Sequence, residues 1–326
     1  MWILGSIRKE MLFLYLPGMV SVLVAILFPN LGETSILYAL LATALIDSGH
    51  VYTTVWRTFF HPDELRSSKL YFIVPVVAFV LFSSWQILGL KGLWSFVVYA
   101  TLFHHVRQVY GLSKWYQALN KRTDRISDYF LYALAILPMV TYHFRPEVPN
   151  NYYGLNDLFL FPDLNVVKAF YFIYACVLSS WIIYEMRNWN KGTKEINRIL
   201  SVAFPSLVYG YCFFVGRSIS QVLFPLLFIH GVAYFGILSQ TLHRTQAKRF
   251  RNFMASLIVV IMTAVIFGLG EFWMENNIIS AETSTEFWPG LLIGLWLTPL
   301  FCHYFFDALI WKRNHRESAA LLGRAH

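Results

Sequence analysis

NFMASLIVVIMTAVIFGLGEFW, Asn252 to Trp273, carries a single charged residue, Glu271, among 22. A helix rises ~1.5 Å per residue and the hydrocarbon of a bilayer is ~30 Å thick, so about 20 such residues cross it. Nine other stretches read the same way: near Met11 to Phe28, Thr34 to Val55, Leu70 to Leu90, Gly92 to Ser113, Ser127 to Phe144, Val166 to Met186, Ile199 to Val215, Ile219 to Leu242 and Trp288 to Trp311. In hydrocarbon each backbone N–H and C=O needs a partner inside its own segment, which favours helices, and the short alternating segments of a β-barrel are absent from the sequence. Composition agrees, with 57% hydrophobic and only 13% charged residues, against roughly 25% charged in soluble domains. The expected fold is all-α, one transmembrane domain over residues 1–326, a polytopic bundle of about ten helices.

The net charge of +8 resembles a nucleic-acid signal until the basic residues are assigned to connections. Arg8 and Lys9 precede the first helix; Arg57, Arg66 and Lys69 follow the second; Lys114, Lys121, Arg122 and Arg125 follow the fourth. Arg187, Lys191, Lys194 and Arg198 follow the sixth, Arg244, Lys248, Arg249 and Arg251 the eighth, and Lys312, Arg313, Arg316 and Arg324 the tenth. Only Lys91, Arg145, Lys168 and Arg217 fall on the opposite side, and Arg107 lies within a helix. Basic connections stay cytoplasmic, so both termini are expected inside and even-numbered helices run inward. A basic inner rim facing anionic lipid accounts for the charge, so the expected partner is the bilayer and no nucleic acid. A bacterial cytoplasmic membrane is the expected location.

The start, MWILGSIRKE, lacks the order of a cleaved signal, so the first helix is expected to be retained. Cys176, Cys212 and Cys302 lie in predicted helices and read as packing residues, not a disulfide framework. Arg145 to Asn165 reads as an external segment on the membrane surface, and Glu275 to Glu286 as a solvated loop.

Ionisable groups at membrane depth are costly, and each is a candidate functional residue. Five histidines qualify: His50, His104, His105, His230 and His303, all on inward-running helices. Counted to the first basic residue of each following connection they stand 7, 10, 9, 14 and 9 residues away, or roughly 10 to 20 Å above the inner surface at ~1.5 Å per residue. They can share one layer as ligands of a metal. Asp47, three before His50, and Asp307, four after His303, share a helix face with their histidines and read as carboxylates that orient a ligand or bind themselves. Gln108, four after His104, and Tyr234, four after His230, are candidate catalytic side chains, placed to orient a histidine or contact a bound molecule. Adjacent positions diverge on a helix, so only one of His104 and His105 is expected to face the site. His61, His143, His243, His315 and His326 read as bystanders.

Imidazole with carboxylate suits iron, zinc, copper or nickel, and several histidines with an open position favour non-haem Fe(II), ahead of zinc or haem. Tyr52, Trp56, Phe103, Tyr110, Phe235, Tyr304 and Trp311 accompany the histidines; Trp56 and Trp311 suit an interfacial belt, the others an apolar pocket. Arg107 has three readings: an ion pair with Asp47 or Asp307, a contact to an anionic head group, or a side chain snorkelling to the surface.

DSGHVYT around His50, FHHVRQ at His104 and His105, FIHGVAYF at His230 and TPLFCHYFFDALIWKR at His303 resemble, in the same order, histidine elements of the Brp/Blh family, the membrane-embedded β-carotene-cleaving dioxygenases. The resemblance covers about a sixth of the chain. It implies iron held by histidines on several helices and a carotenoid-like substrate. The early proline and the following aspartate of that family are missing beside His50, and Tyr234 stands where its late element has a second histidine, so His303, His105 or Asp307 would complete the ligand set. The expected function is an iron-dependent membrane oxygenase acting on an apolar lipid or isoprenoid, an apolar small-molecule substrate. Two other readings fit the same residues: a lipid acyltransferase with His230 as base, and a transporter or haem-binding protein with histidines lining the bundle.

Overall fold

The computed structural model describes residues 2–31, 40–191, 195–278 and 286–311. The regular structure among them is helical throughout. The long helices are α1 (Ile7–Leu27), α2 (residues 40–56), α3 (Leu70–Ile87), α4 (Leu93–Leu119), α5 (Arg125–Tyr142), α6 (Leu164–Asn190), α7 (Ile196–Val215), α8 (Ile219–Thr245), α9 (Phe253–Ile278) and α10 (Phe287–Ile310). Each apolar stretch found in the sequence therefore contains a helix. Among the described residues α1, α3, α6, α7, α8, α9 and α10 are long and apolar enough to cross a membrane, as in an integral membrane protein. The expected start of α2 before residue 40, most of the connection before Glu286 and the basic tail after Trp311 lie outside the described residues; α9 itself runs on to Ile278, past the expected start of that connection.

Two compact units divide the chain, Met1–Thr34 with Val97–Ala233, and Ser35–Phe96 with Tyr234–His326. In the first, α5 packs on α6 and α7, and α1 packs on α8. The core includes Leu131, Leu134, Val202, Val208, Tyr209 and Cys212. Gly18 lets α1 approach closely, since a Cβ there would stand 2.9 Å from Ile229 Cβ. The segment after α5 is folded rather than merely laid on a surface. The Asp157 carboxylate accepts the backbone N–H groups of Tyr152, Tyr153 and Gly154 at 2.9, 2.5 and 2.9 Å. Arg145 donates to the carbonyls of Phe213 and Gly216, both at 2.9 Å, where α7 leaves carbonyls without helical partners. Its pKa is lowered by burial.

In the second unit α3 and α10 run side by side through Gly290 and Gly294, a small-xxx-small pair that brings the backbones together. A Cβ on Gly294 would collide with Ser83 and one on Gly290 with Ile87. α9 meets α2 in the same way: Gly49 lies against Ala264, and a Cβ on Gly268 would collide with the Ala44 carbonyl. Gly268→Ala is therefore expected to destabilise by about 1–3 kcal/mol through overpacking. Gly270→Ala, whose Cβ would meet nothing within 4 Å, should gain about 0.5–1 kcal/mol of helix propensity. Thermal unfolding of both variants in detergent checks the contrast. Of the cysteines, Cys212 and Cys302 are buried, whereas Cys176 is exposed and so is not a packing residue.

Candidate metal centre

The predicted site residues fall into two sets, one in each unit. In the first unit, α8 begins at the Ser218 cap, whose hydroxyl accepts the Gln221 N–H at 3.2 Å. Three residues after Pro225 the helix widens into a π turn, Phe228–Val232, and His230 sits in it; such turns recur at functional positions. Gln108 of α4 clamps this histidine. Its amide nitrogen donates to the His230 carbonyl at 3.2 Å, and its amide oxygen lies 2.7 Å from His230 Nδ1. A carbonyl only accepts, so the amide orientation is fixed, Nδ1 carries the hydrogen, and Nε2 keeps its lone pair. Gln108 therefore orients His230, not His104 one turn before it.

His104 and His105 both reach His230, contrary to the expectation that one faces away. His105 stacks on it with centroids 4.2 Å apart and His104 meets it edge-on at 4.9 Å. All three are buried. The two side chains diverge around α4 and straddle the single ring opposite.

In the second unit, α2 is π-wound over Leu40–Ser48, α-helical over Gly49–Thr53 and tightened to a 3₁₀ turn at Thr54–Trp56. His50 and Thr54 are one turn apart on it. His50 Nδ1 lies 2.6 Å from the Ile46 carbonyl, which again assigns the hydrogen to Nδ1. A carbonyl thus supports this position of His50, with the half-buried Asp47 three residues before it on the same helix. The His303 ring lies edge-on to His50 with centroids 4.9 Å apart, and a nitrogen of each comes within 4.8 Å of the other.

A hydrogen-bonded chain leads away from His303. Its Nδ1 is 2.7 Å from Thr54 Oγ1, Thr54 is 2.9 Å from the Tyr234 hydroxyl, and Tyr234 donates to Asp307 Oδ1 at 3.3 Å. With Asp307 ionised the direction follows: Tyr234 donates to the carboxylate, Thr54 to Tyr234, and His303 Nδ1 to Thr54. His303 Nε2 then bears the lone pair. It lies 3.8 Å from Asp307 Oδ2, as the one-turn spacing predicts. With His303 neutral, two buried lone-pair atoms face each other and repel, and either a proton on Nε2 or a metal ion between them relieves this. The separation suits two ligands of one ion, since bonds of ~2.1 Å place ligand atoms roughly 3–4 Å apart. His303 thus stands between two possible co-ligands, the Asp307 carboxylate on one side and the His50 imidazole on the other, donors of the kind a transition metal takes.

Sequence reasoning missed Thr54 and Arg57. Arg57, counted above among the cytoplasmic basic residues, is fully buried, with Nη1 3.9 Å from Asp307 Oδ1 and its guanidinium 3.4 Å over the Trp311 ring. It supplies the positive charge beside Asp307 that one of the three readings of Arg107 offered, and its guanidinium lies over the Trp311 ring. Thr54, four residues after His50, had the same spacing signal as Asp307 but no charge to draw notice. Arg107 is exposed and bonds to Tyr132 at 2.6 Å. Phe103, 67% exposed, belongs to the outer surface and not to a pocket beside the histidines. Among the bystanders, His61 caps the turn Pro62–Ser67, accepting the Glu64 N–H at 3.4 Å, and His143 bonds to the Phe159 carbonyl at 2.5 Å. No protein-family model matches the chain, and no curated protein or solved structure is significantly similar to it.

Proposed function

We propose that this is a membrane-embedded, metal-dependent oxygenase with His50 and His303 among the ligands of a non-haem iron and the Asp307 carboxylate beside His303. The observation that carries the reading is the opposition of His303 Nε2 and Asp307 Oδ2 at 3.8 Å beside His50, with both imidazole Nδ1 positions already committed to other partners. His230, His104 and His105 enter as the further ligands that their sequence pattern nominates. Iron(II) bound to such a set supplies the capacity to activate O₂. The chain's own residues do the rest: Thr54 and Tyr234 keep His303 in one tautomer, Gln108 does so for His230, and Arg57 balances the carboxylate. The substrate class is an apolar lipid or isoprenoid, and the resemblance of the histidine elements makes a carotenoid-like polyene its first candidate. The reading includes ten spans with both termini cytoplasmic, in a bacterial cytoplasmic membrane.

Metal analysis of the protein purified in detergent tests this. One iron per chain is expected, falling to trace in His50→Ala and His303→Ala while helix content stays unchanged. Trace metal in the unmodified protein, or equal metal in all three, rejects the proposal; loss in His230→Ala as well extends the ligand set across α8.

A further inference from the structure

Arg107 lies on the face of α4 that meets α5 in the first unit, through its own bond to Tyr132 and through the Lys114–Asp128 pair. One guanidinium N–H donates to the Tyr132 hydroxyl at 2.6 Å, and the group lies 4.8 Å from the Tyr110 ring centroid. Among the described residues it makes no ion pair. A guanidinium has five N–H donors and keeps its charge at any pH a protein meets, so an exposed one in an apolar surface favours an anion. Tyr110 and Tyr132 stack with centroids 4.9 Å apart, which holds both hydroxyl-bearing rings beside it.

The register of the two helices extends the site in both directions. Lys114 pairs with Asp128 at 2.9 Å and Arg107 bonds to Tyr132, so the helices are antiparallel and one turn further on Phe103 falls level with Ile136. Those two residues are 67% and 41% exposed. The stripe therefore runs from bare hydrocarbon at Phe103 and Ile136, through Arg107 and the tyrosines, to Lys114. Between Arg107 and Lys114 lies Gly111, where a Cβ would meet nothing within 4 Å, leaving a notch one turn from the guanidinium. Apolar surface, then cation and hydroxyls over a notch, matches the order of groups in a phospholipid.

We propose that this α4–α5 face binds an anionic phospholipid, its phosphate at the Gly111 notch against Arg107 and its acyl chains along Phe103 and Ile136. Its charge comes from Arg107, because the Lys114 charge is shared with Asp128. Anionic lipid is thereby favoured over zwitterionic lipid, whose own cation competes for the phosphate.

Native mass spectrometry of delipidated protein titrated with dioleoyl phosphatidylglycerol tests it, with dioleoyl phosphatidylcholine and inorganic phosphate as the other arms. Retention of phosphatidylglycerol is expected to exceed that of phosphatidylcholine and to fall about tenfold in Arg107→Gln, the loss of a charge-assisted hydrogen bond. Gly111→Leu, which fills the notch without changing charge, should reduce it similarly and decides the matter if Arg107→Gln does not fold. Circular dichroism reports folding of each variant. Equal retention of the two lipids, unchanged retention in a folded variant, or full displacement of the lipid by equimolar inorganic phosphate would each overturn the proposal.

Discussion

Asp307→Ala is expected to lower stability by about 3–5 kcal/mol, because it strips a fully buried guanidinium of a carboxylate placed to balance it. The carboxylate stands 3.9 Å from Arg57 Nη1 and accepts the Tyr234 hydroxyl at 3.3 Å. Removing it leaves a cation in a low-dielectric interior without that carboxylate, and the Trp311 ring offsets only part of the desolvation. Arg57→Met combined with Asp307→Leu should recover most of the loss, since an apolar pair of similar bulk carries no buried charge. Unfolding of Arg57→Met, of Asp307→Leu and of the double variant, read as a double-mutant cycle, measures the coupling. Additive losses in the cycle would show that the two charges do not act on each other. The metal readout separates from stability here: with Asp307 a ligand, every Asp307 variant loses iron, but only the single variants lose the fold's margin.

Arg198→Met has an effect of the same size, about 3–5 kcal/mol, in the other unit. Arg198 is fully buried and donates to both oxygens of Glu185 at 2.8 and 2.6 Å, to Glu195 at 2.8 Å and to Ser127 at 2.7 Å. Glu185 also receives the Trp181 indole N–H at 3.1 Å. The substitution leaves a buried carboxylate facing apolar carbon. Arg198→Lys should cost less than methionine and more than nothing: the charge stays, but one ammonium cannot span both Glu185 oxygens and Glu195 as the planar fork does. Thermal unfolding in detergent that ranks lysine equal to arginine would show that charge alone, and not the bidentate geometry, holds this cluster.

Arg57 and Arg198 mark where sequence reasoning stops. Both follow apolar stretches in line with the other basic residues of the same loops, and a charge count cannot distinguish a side chain at a water interface from one folded back on a carboxylate. The partners lie on other helices: Asp307 is 250 residues from Arg57, and Glu185 is on α6, 13 residues before Arg198 on α7. The spacing that flagged Asp307 beside His303 worked because both lie on one helix. The spacing that assigned Gln108 to His104 failed because the nearer acceptor belongs to α8.

The helical, membrane-embedded character of the chain was legible from the amino-acid order, because hydropathy over about 20 residues is a local property that no distant contact changes. So were the five histidines and Asp307 as candidates, since an imidazole or carboxylate at such depth is costly wherever its partner lies. Which atoms those groups face was decided only by tertiary packing. The π turn at His230, the Gln108 clamp, the Thr54–Tyr234 chain and the burial of Arg57 all depend on side chains brought together from separate helices, and hydrogen bonds are short-ranged enough that an ångström of packing assigns them.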